Sequence, residues 1–261
     1  MKTQHGHIHL DRRGDHIARV VIDKPPHNNV SVEMMKNLAD VLEVADGDPE
    51  CRVVILSSTG KSFCAGADLA GRADGKSPIP ERTINPLYDQ AVRLVSTELP
   101  AIACVHGAAI GAGLGLALTA DFRIASPEAR FAANFVKLGF HPGFGLTYTL
   151  PRLIGRQRAA LMFMTGRRIK AEEALDWGLV DQLVAPDQLM PAAEALAAEI
   201  AENAPLAVKS TRTTLRADLA DAVRKATSHE FHEQQWLMQT DDFKEGVSSV
   251  NERRPGKFTG R

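Results

Sequence analysis

The sequence predicts an α/β protein in which parallel strands are buried between helices, followed by a purely helical C-terminal region. Three observations carry this. Apolar runs of strand length alternate with segments of helical periodicity as far as Val184. A glycine-punctuated stretch, Pro100 to Asp121 (PAIACVHGAAIGAGLGLALTAD), joins one such run to a helix of small apolar residues. From Pro186 onward the pattern is helical only. The change falls near residues 190–205 and divides the chain into a core, 1–195, and a helical region, 196–261.

Composition narrows the function classes. Of the 261 residues, 44% are hydrophobic and 24% charged, as in an ordinary soluble globular protein. A formal net charge of −1 gives no basis for a nucleic-acid partner or an acidic membrane surface. The three cysteines, Cys51, Cys64 and Cys104, lack metal-ligand spacing, and an odd count without a framework fits a reducing compartment. The N-terminal MKTQHGHIHLDRRGD has no apolar signal region, and no segment has the length of a membrane span. The expectation is a cytoplasmic protein. His5, His7 and His9 alternate, which places them on one face of a strand; without a neighbouring carboxylate they read as surface, not as a metal site.

Taken in order, Ile8–Leu10 and Ile17–Ile22 flank Arg13-Gly14-Asp15 as a β-hairpin. Lys24-Pro25-Pro26-His27-Asn28-Asn29 is a rigid loop. Ser31 is a natural N-cap with Glu33 in the first turn, and Val32, Met35, Leu38, Leu42 and Ala45 give one apolar helix face to about Asp46. Val53–Ser57 is a buried strand. Ala70–Pro86, rich in Gly, Pro and charge, is a loop, and Leu87–Leu99 a helix. Phe122–Ala125 is a strand. Leu153–Thr165 and Lys170–Trp177 are helices ended by Gly166 and Gly178, and Leu179–Val184 is a strand. Helices Pro186–Asn203, Pro205–Arg216, Leu219–Thr240 and Asp241–Arg254 complete the chain.

The central stretch carries the chemistry. The strand Ala101–Val105 meets Gly107, Gly111, Gly113 and Gly115, and glycines permit sharp turning and close approach. The first amides of the following helix lack internal partners and, with the helix dipole, can hold an anion or a polarised carbonyl oxygen. The alternative is a glycine-rich helix packed tightly on a sheet. A second strand-to-turn segment, Ser62-Phe63-Cys64-Ala65-Gly66-Ala67-Asp68-Leu69, has Ala67 45 positions before Ala112. Each segment could offer one backbone N–H to a single oxygen.

SFCAGADL followed by HGAAIGAGLGLALTADFRIAS resembles the crotonase, or enoyl-CoA hydratase/isomerase, superfamily, and the likeness runs from the N-terminal hairpin to the tail KEGVSSVNERRPGKF. The resemblance implies a crotonase-like spiral of ββα turns whose helical C-terminal region serves trimerisation, as a homotrimer or a dimer of trimers. It implies an acyl-CoA thioester as substrate, with coenzyme A entering as part of that substrate and no permanently bound cofactor or metal. It assigns the N–H groups of Ala67 and Ala112 to an oxyanion hole, where each preorganised donor is worth about 3–4 kcal/mol. Pro26, His27 and Asn28, with Ala65, Asp68 and Leu69, would lie along the CoA or acyl part. Tyr88 would line the acyl pocket, with Phe135 beside the reacting carbons. Lys257 would meet a phosphate and Phe258 the adenine, often of a neighbouring subunit.

The chain departs from the family where protons move. Family hydratases use two glutamates as general acid and base. Those positions fall on Gly115 and Phe135, and neither side chain titrates. A family dehalogenase also has glycine at the first position, but its nucleophilic aspartate aligns with Gly143 and its histidine with Tyr88. Substitutes within the chain are His141, in Gly139-Phe140-His141-Pro142-Gly143, whose imidazole suits acid–base work, and Asp68, which reads rather as a loop-fixing carboxylate. His106 and Asp121 read as structural. The expectation is therefore an enolate-stabilising enzyme of this family that is not an ordinary hydratase. The alternatives are a non-catalytic acyl-CoA binder and a divergent isomerase or hydrolase using His141.

Overall fold

The computed structural model describes residues 2–67 and 85–261. Strands β1 (Lys2–His5), β2 (Ile8–Arg12) and β3 (Ile17–Ile22) form an antiparallel meander. The sheet then turns parallel through β4 (Val53–Ser58) and β5 (Ala101–Val105). The next strand, β6 (Ala108–Ile110), leaves for a second sheet; β7 (Phe122–Ala125) returns to the first, beside β5; β8 (Arg130–Ala132) again joins the second. There β9 (Arg168–Lys170) pairs antiparallel with β8, and β10 (Gln182–Leu183) closes the first sheet beside β7. Each circuit thus runs from the large sheet to the small one and back.

Ten helices are described: α1 (Val32–Asp46), α2 (Pro86–Val95), α3 (Ala112–Ala117), α4 (Leu146–Ile154), α5 (Arg156–Thr165), α6 (Ala171–Asp176), α7 (Leu189–Ala201), α8 (Pro205–Leu215), α9 (Leu219–Leu237) and α10 (Asp241–Asn251). The parallel strands are buried on both faces, which is why they read as continuous apolar runs rather than alternating ones. In β4, Val53 and Ile55 pack with Leu189, Ala193 and Ala197 of α7, while Val54 and Leu56 face the main core with α1, α2 and α3. The expected N-cap forms, the Ser31 hydroxyl accepting from the Met34 amide at 3.2 Å. None of the described helices is long and apolar enough to cross a membrane.

Several elements differ from expectation, each for a local reason. His5, His7 and His9 do not share a strand, because the chain reverses at Gly6 (φ +57°), so His5 ends β1 and His9 lies in β2. A strand, β6, separates Gly107 from Gly111, and the glycine-rich helix is short. The helix expected over Leu153–Thr165 is two helices broken at Gly155, whose φ of +81° and ψ of 155° are not helical. The strand expected over Leu179–Val184 shrinks to two residues, since the Leu179 and Val180 amides both close the end of α6 on the Ala174 carbonyl. Asp121 lies beyond α3. Its carboxylate accepts from the Ala101 amide at 2.8 Å, Arg212 Nε at 2.8 Å and Arg216 Nη1 at 3.0 Å, tying α8 to the sheet. The expected loop at Ala70–Pro86 falls, up to residue 84, outside the described residues.

Candidate functional site

The two segments singled out by their glycines meet in space. Cys64 pairs with Ala109 in parallel fashion, its amide donating to Ala108 O and its carbonyl accepting from the Ile110 amide, both at 3.0 Å. The contact is close because Gly113 lacks a side chain: a Cβ there would lie 1.9 Å from the Cys64 carbonyl oxygen. Two residues on, Gly66 (φ +87°) presses on the same turn, and a Cβ on it would fall 2.7 Å from Ile110 O and 3.8 Å from the Ala112 nitrogen. Ala67 follows directly. It bridges Val30, but through the Gly66 carbonyl, which accepts from the Val30 amide at 3.0 Å. Ala112 opens α3 after Gly111. Among the described residues the amides of Ala67 and Ala112 donate to no hydrogen bond.

The loop expected beside this junction is there. Pro26 O accepts from the Lys61 amide and His27 O from the Ala65 amide, each at 2.9 Å, and His27 Nδ1 lies 3.3 Å from Ser62 Oγ. The Pro25–Pro26 bond is cis. The Asn28 side chain is spent on structure: it is fully buried, accepts from the Lys24 amide at 2.8 Å, and donates to Thr59 O and Ser62 O at 2.7 and 2.8 Å. Cys64 is fully buried, and burial pushes its thiol up to about 11. His106 Nε2 lies 3.1 Å from Gly60 O. Asp68 and Leu69 lie outside the described residues.

Two aromatic rings flank the glycine-rich turn. Phe135, on a single 3₁₀ turn (Phe135–Leu138), lies 3.6 Å from where a Cβ on Gly111 would stand, and its ring meets Phe140 edge-on at 5.5 Å. Phe144 packs on Gly115: a Cβ there would lie 2.4 Å from Phe144 Cδ1. Phe144 itself has φ +65°, a left-handed conformation that costs a bulky residue on the order of 1–3 kcal/mol.

Such a conformation persists only where its surroundings impose it, and here α9 and α2 do. Glu230 of α9, fully buried, accepts from the Gly145 amide at 2.7 Å, and from the Thr147 amide and hydroxyl at 3.0 and 2.6 Å. Burial pushes its carboxyl up, against the opposing pull of the Thr147 and Gly145 hydrogen bonds. Gln234 Nε2 donates to His141 O and Pro142 O at 2.9 and 3.3 Å, while its Oε1 accepts from the Tyr88 hydroxyl at 2.7 Å. A Cβ on Gly143 would sit 1.9 Å from that hydroxyl. Tyr88 is therefore engaged in holding the loop.

His141 faces the helical region. Its Nδ1 lies 2.8 Å from Pro142 O and its ring meets that of His229 edge-on at 5.8 Å. Lys257 and Phe258 lie on a tail folded back along α10: Glu245 accepts from the Lys257 amide at 2.7 Å, and Asp242 from the Thr259 and Gly260 amides at 2.7 and 2.8 Å. The structure thus joins Pro26, His27, Asn28, Ala65, Ala67 and Ala112 at one junction and sets Phe135 against it. His141 and the tail residues make their contacts elsewhere. Phe144, Glu230 and Gln234 were not anticipated. The alternation Gly143-Phe144-Gly145 was the available signal for Phe144; for the two α9 residues there was none.

With this arrangement in view, comparison with known proteins is decisive. The family profile described as "Enoyl-CoA hydratase/isomerase" matches residues 12–261. The chain belongs to that family. A carnitinyl-CoA dehydratase of Escherichia coli K12 is 33% identical over 260 residues, covering 97% of this chain and 98% of its own. A short-chain-enoyl-CoA hydratase of Clostridium acetobutylicum is 36% identical over 248 residues, covering 94% of each. The crystal structure of an enoyl-CoA hydratase/isomerase from Pseudoalteromonas atlantica T6c superposes with a TM-score of 0.86 at 29% identity, over 97% of this chain and all of that one. The mixed α/β fold is therefore that of crotonase structures, including the helical C-terminal region, as the sequence led us to expect.

Proposed function

We propose that this enoyl-CoA hydratase/isomerase family protein binds an acyl-CoA thioester and stabilises its enolate, with the amides of Ala67 and Ala112 as the oxyanion hole. The observation that carries the reading is the packing of Gly66 against Ile110 O, just ahead of Ala112, while the amides of Ala67 and Ala112 remain unspent among the described residues. Two backbone donors fixed in place before the substrate arrives need no reorganisation as negative charge develops on oxygen. The positions aligned with the hydratase glutamates hold Gly115 and Phe135. Addition of water across a double bond would then lack its usual acid and base. His141 is the candidate acid–base group that this reading puts to the test, although its own contacts are with Pro142 and His229. CoA would run along Pro26–Asn28, with Lys257 and Phe258 reaching the nucleotide of a neighbouring subunit in a homotrimer or dimer of trimers. Exposed Leu161 and Met164 on α5 support such an assembly.

A second reading is a non-catalytic acyl-CoA binder. It is favoured by the turning of His141 toward His229. One set of assays separates them. The enzyme reading expects micromolar-range binding of butyryl-CoA, weak or no hydration of crotonyl-CoA, and turnover of some acyl-CoA that is lost in His141→Ala. Robust hydration that disappears on substituting Phe135 or Gly115 overturns the reading of the missing acids. Binding with no turnover of any acyl-CoA favours the binder, whereas turnover unchanged in His141→Ala removes His141 from the proton transfer.

A further inference from the structure

The buried polar groups of α9 and α2 converge on one short loop, and what they hold there is a single aromatic ring. The loop is fixed on both sides of Phe144: Gln234 takes the carbonyls of His141 and Pro142, the Tyr88 hydroxyl presses on Gly143, and Glu230 takes the amides of Gly145 and Thr147. Phe144, 3% exposed, is left in the left-handed region with its ring on Gly115. Ordinary packing of a phenylalanine does not need such a backbone. Gly115 lies three residues after Ala112 on α3, hence on the same helix face and about 5 Å further along it. Gly115 leaves room for the ring and has no side chain of its own to offer.

We infer that Phe144 is a specificity-determining residue: its ring, seated on Gly115 one helical turn from the Ala112 amide, walls the space beside the first acyl carbons. The class of substrate it selects is an acyl thioester that is unbranched next to the carbonyl. The inference rests on the thioester reading of the Ala67–Ala112 junction. Glu230, Gln234 and Tyr88 act through Phe144 as positioning residues.

The test is calorimetric titration of the full-length protein with coenzyme A, butyryl-CoA and pivaloyl-CoA, for wild type and Phe144→Ala. We expect wild type to bind butyryl-CoA at least tenfold tighter than pivaloyl-CoA. In Phe144→Ala the ratio should fall below threefold, with affinity for coenzyme A itself unchanged within twofold. Equal affinities for the two esters in wild type, or an unchanged ratio in Phe144→Ala, overturns the inference and leaves the thioester reading standing. Failure of wild type to bind either ester overturns that reading as well. Should Phe144→Ala not fold, Gly115→Ala probes the same contact, because its added methyl must displace the ring. It should weaken butyryl-CoA binding at least fivefold while thermal unfolding still shows one cooperative transition. Wild-type affinity in a folded Gly115→Ala protein overturns the inference.

Discussion

The junction at Gly66 and Ala112 and the aromatic wall at Phe135 and Phe144 face the same glycine-rich turn but are built from different materials. The junction is main chain. Its geometry follows from a single parallel bridge between Cys64 and Ala109 of β6, and from glycines whose missing Cβ atoms allow backbone to touch backbone. The wall is side chain, and its position is imposed from outside by α2 and α9, with α9 reaching it across up to 93 residues of sequence. Main-chain donors survive most substitutions nearby, whereas a side-chain wall can be remade by single changes. One main-chain frame can therefore persist while the side chains around it change.

If that contrast is right, cuts in the frame and cuts in the wall give different signatures. The largest effect belongs to neither. Asp121→Ala strands Arg212 and Arg216, both largely buried, without their shared carboxylate, and should lower unfolding free energy by about 3–5 kcal/mol in urea titration. Thioester affinity of the fraction still folded should not change, which makes this variant the control for stability alone. Gly113→Ala attacks the junction. A methyl 1.9 Å from Cys64 O forces α3 away from the Cys64 segment, with a loss of about 3 kcal/mol and of butyryl-CoA binding together.

Glu230→Gln attacks the wall from behind. The amide end of glutamine cannot accept all three hydrogen bonds now made to the carboxylate, and turning it sets donor against donor at Gly145 or Thr147. The expected loss is about 1–3 kcal/mol by urea titration, with discrimination between butyryl-CoA and pivaloyl-CoA reduced and coenzyme A affinity retained. Retained discrimination would mean that α9 does not position the ring. The smallest effect is on pH dependence. Because burial raises the Glu230 carboxyl, the folded chain holds this proton to higher pH than the unfolded chain does. Its contribution is fully present below the ordinary glutamate range and is lost as pH rises through the raised folded value. Stability of wild type minus that of Glu230→Gln should accordingly decline with rising pH across that window, measured by urea titration at several pH values.

The same contrast explains what the sequence disclosed. The Ser31 cap, the parallel apolar strands and the meeting of the two glycine-bearing segments at Cys64 and Ala109 were legible because local rules produce them: a hydroxyl at a helix start, runs buried on both faces, and glycines at set intervals. The short strand β6 was not, since three residues carry no periodicity. The direction of His141 and the engagement of Tyr88 were not legible either, because both depend on where α9 packs. Glu230 read as one more charge on a helix, and only its burial against the start of α4 shows otherwise.

Everything rests on the two amides sharing one oxygen. The direct measurement is a crystal structure of the protein with a stable thioether or thioester analogue that carries the acyl carbonyl. The account predicts that carbonyl oxygen at about 2.7–3.1 Å from the nitrogens of both Ala67 and Ala112. A well-ordered ligand whose carbonyl oxygen lies away from either nitrogen would contradict it.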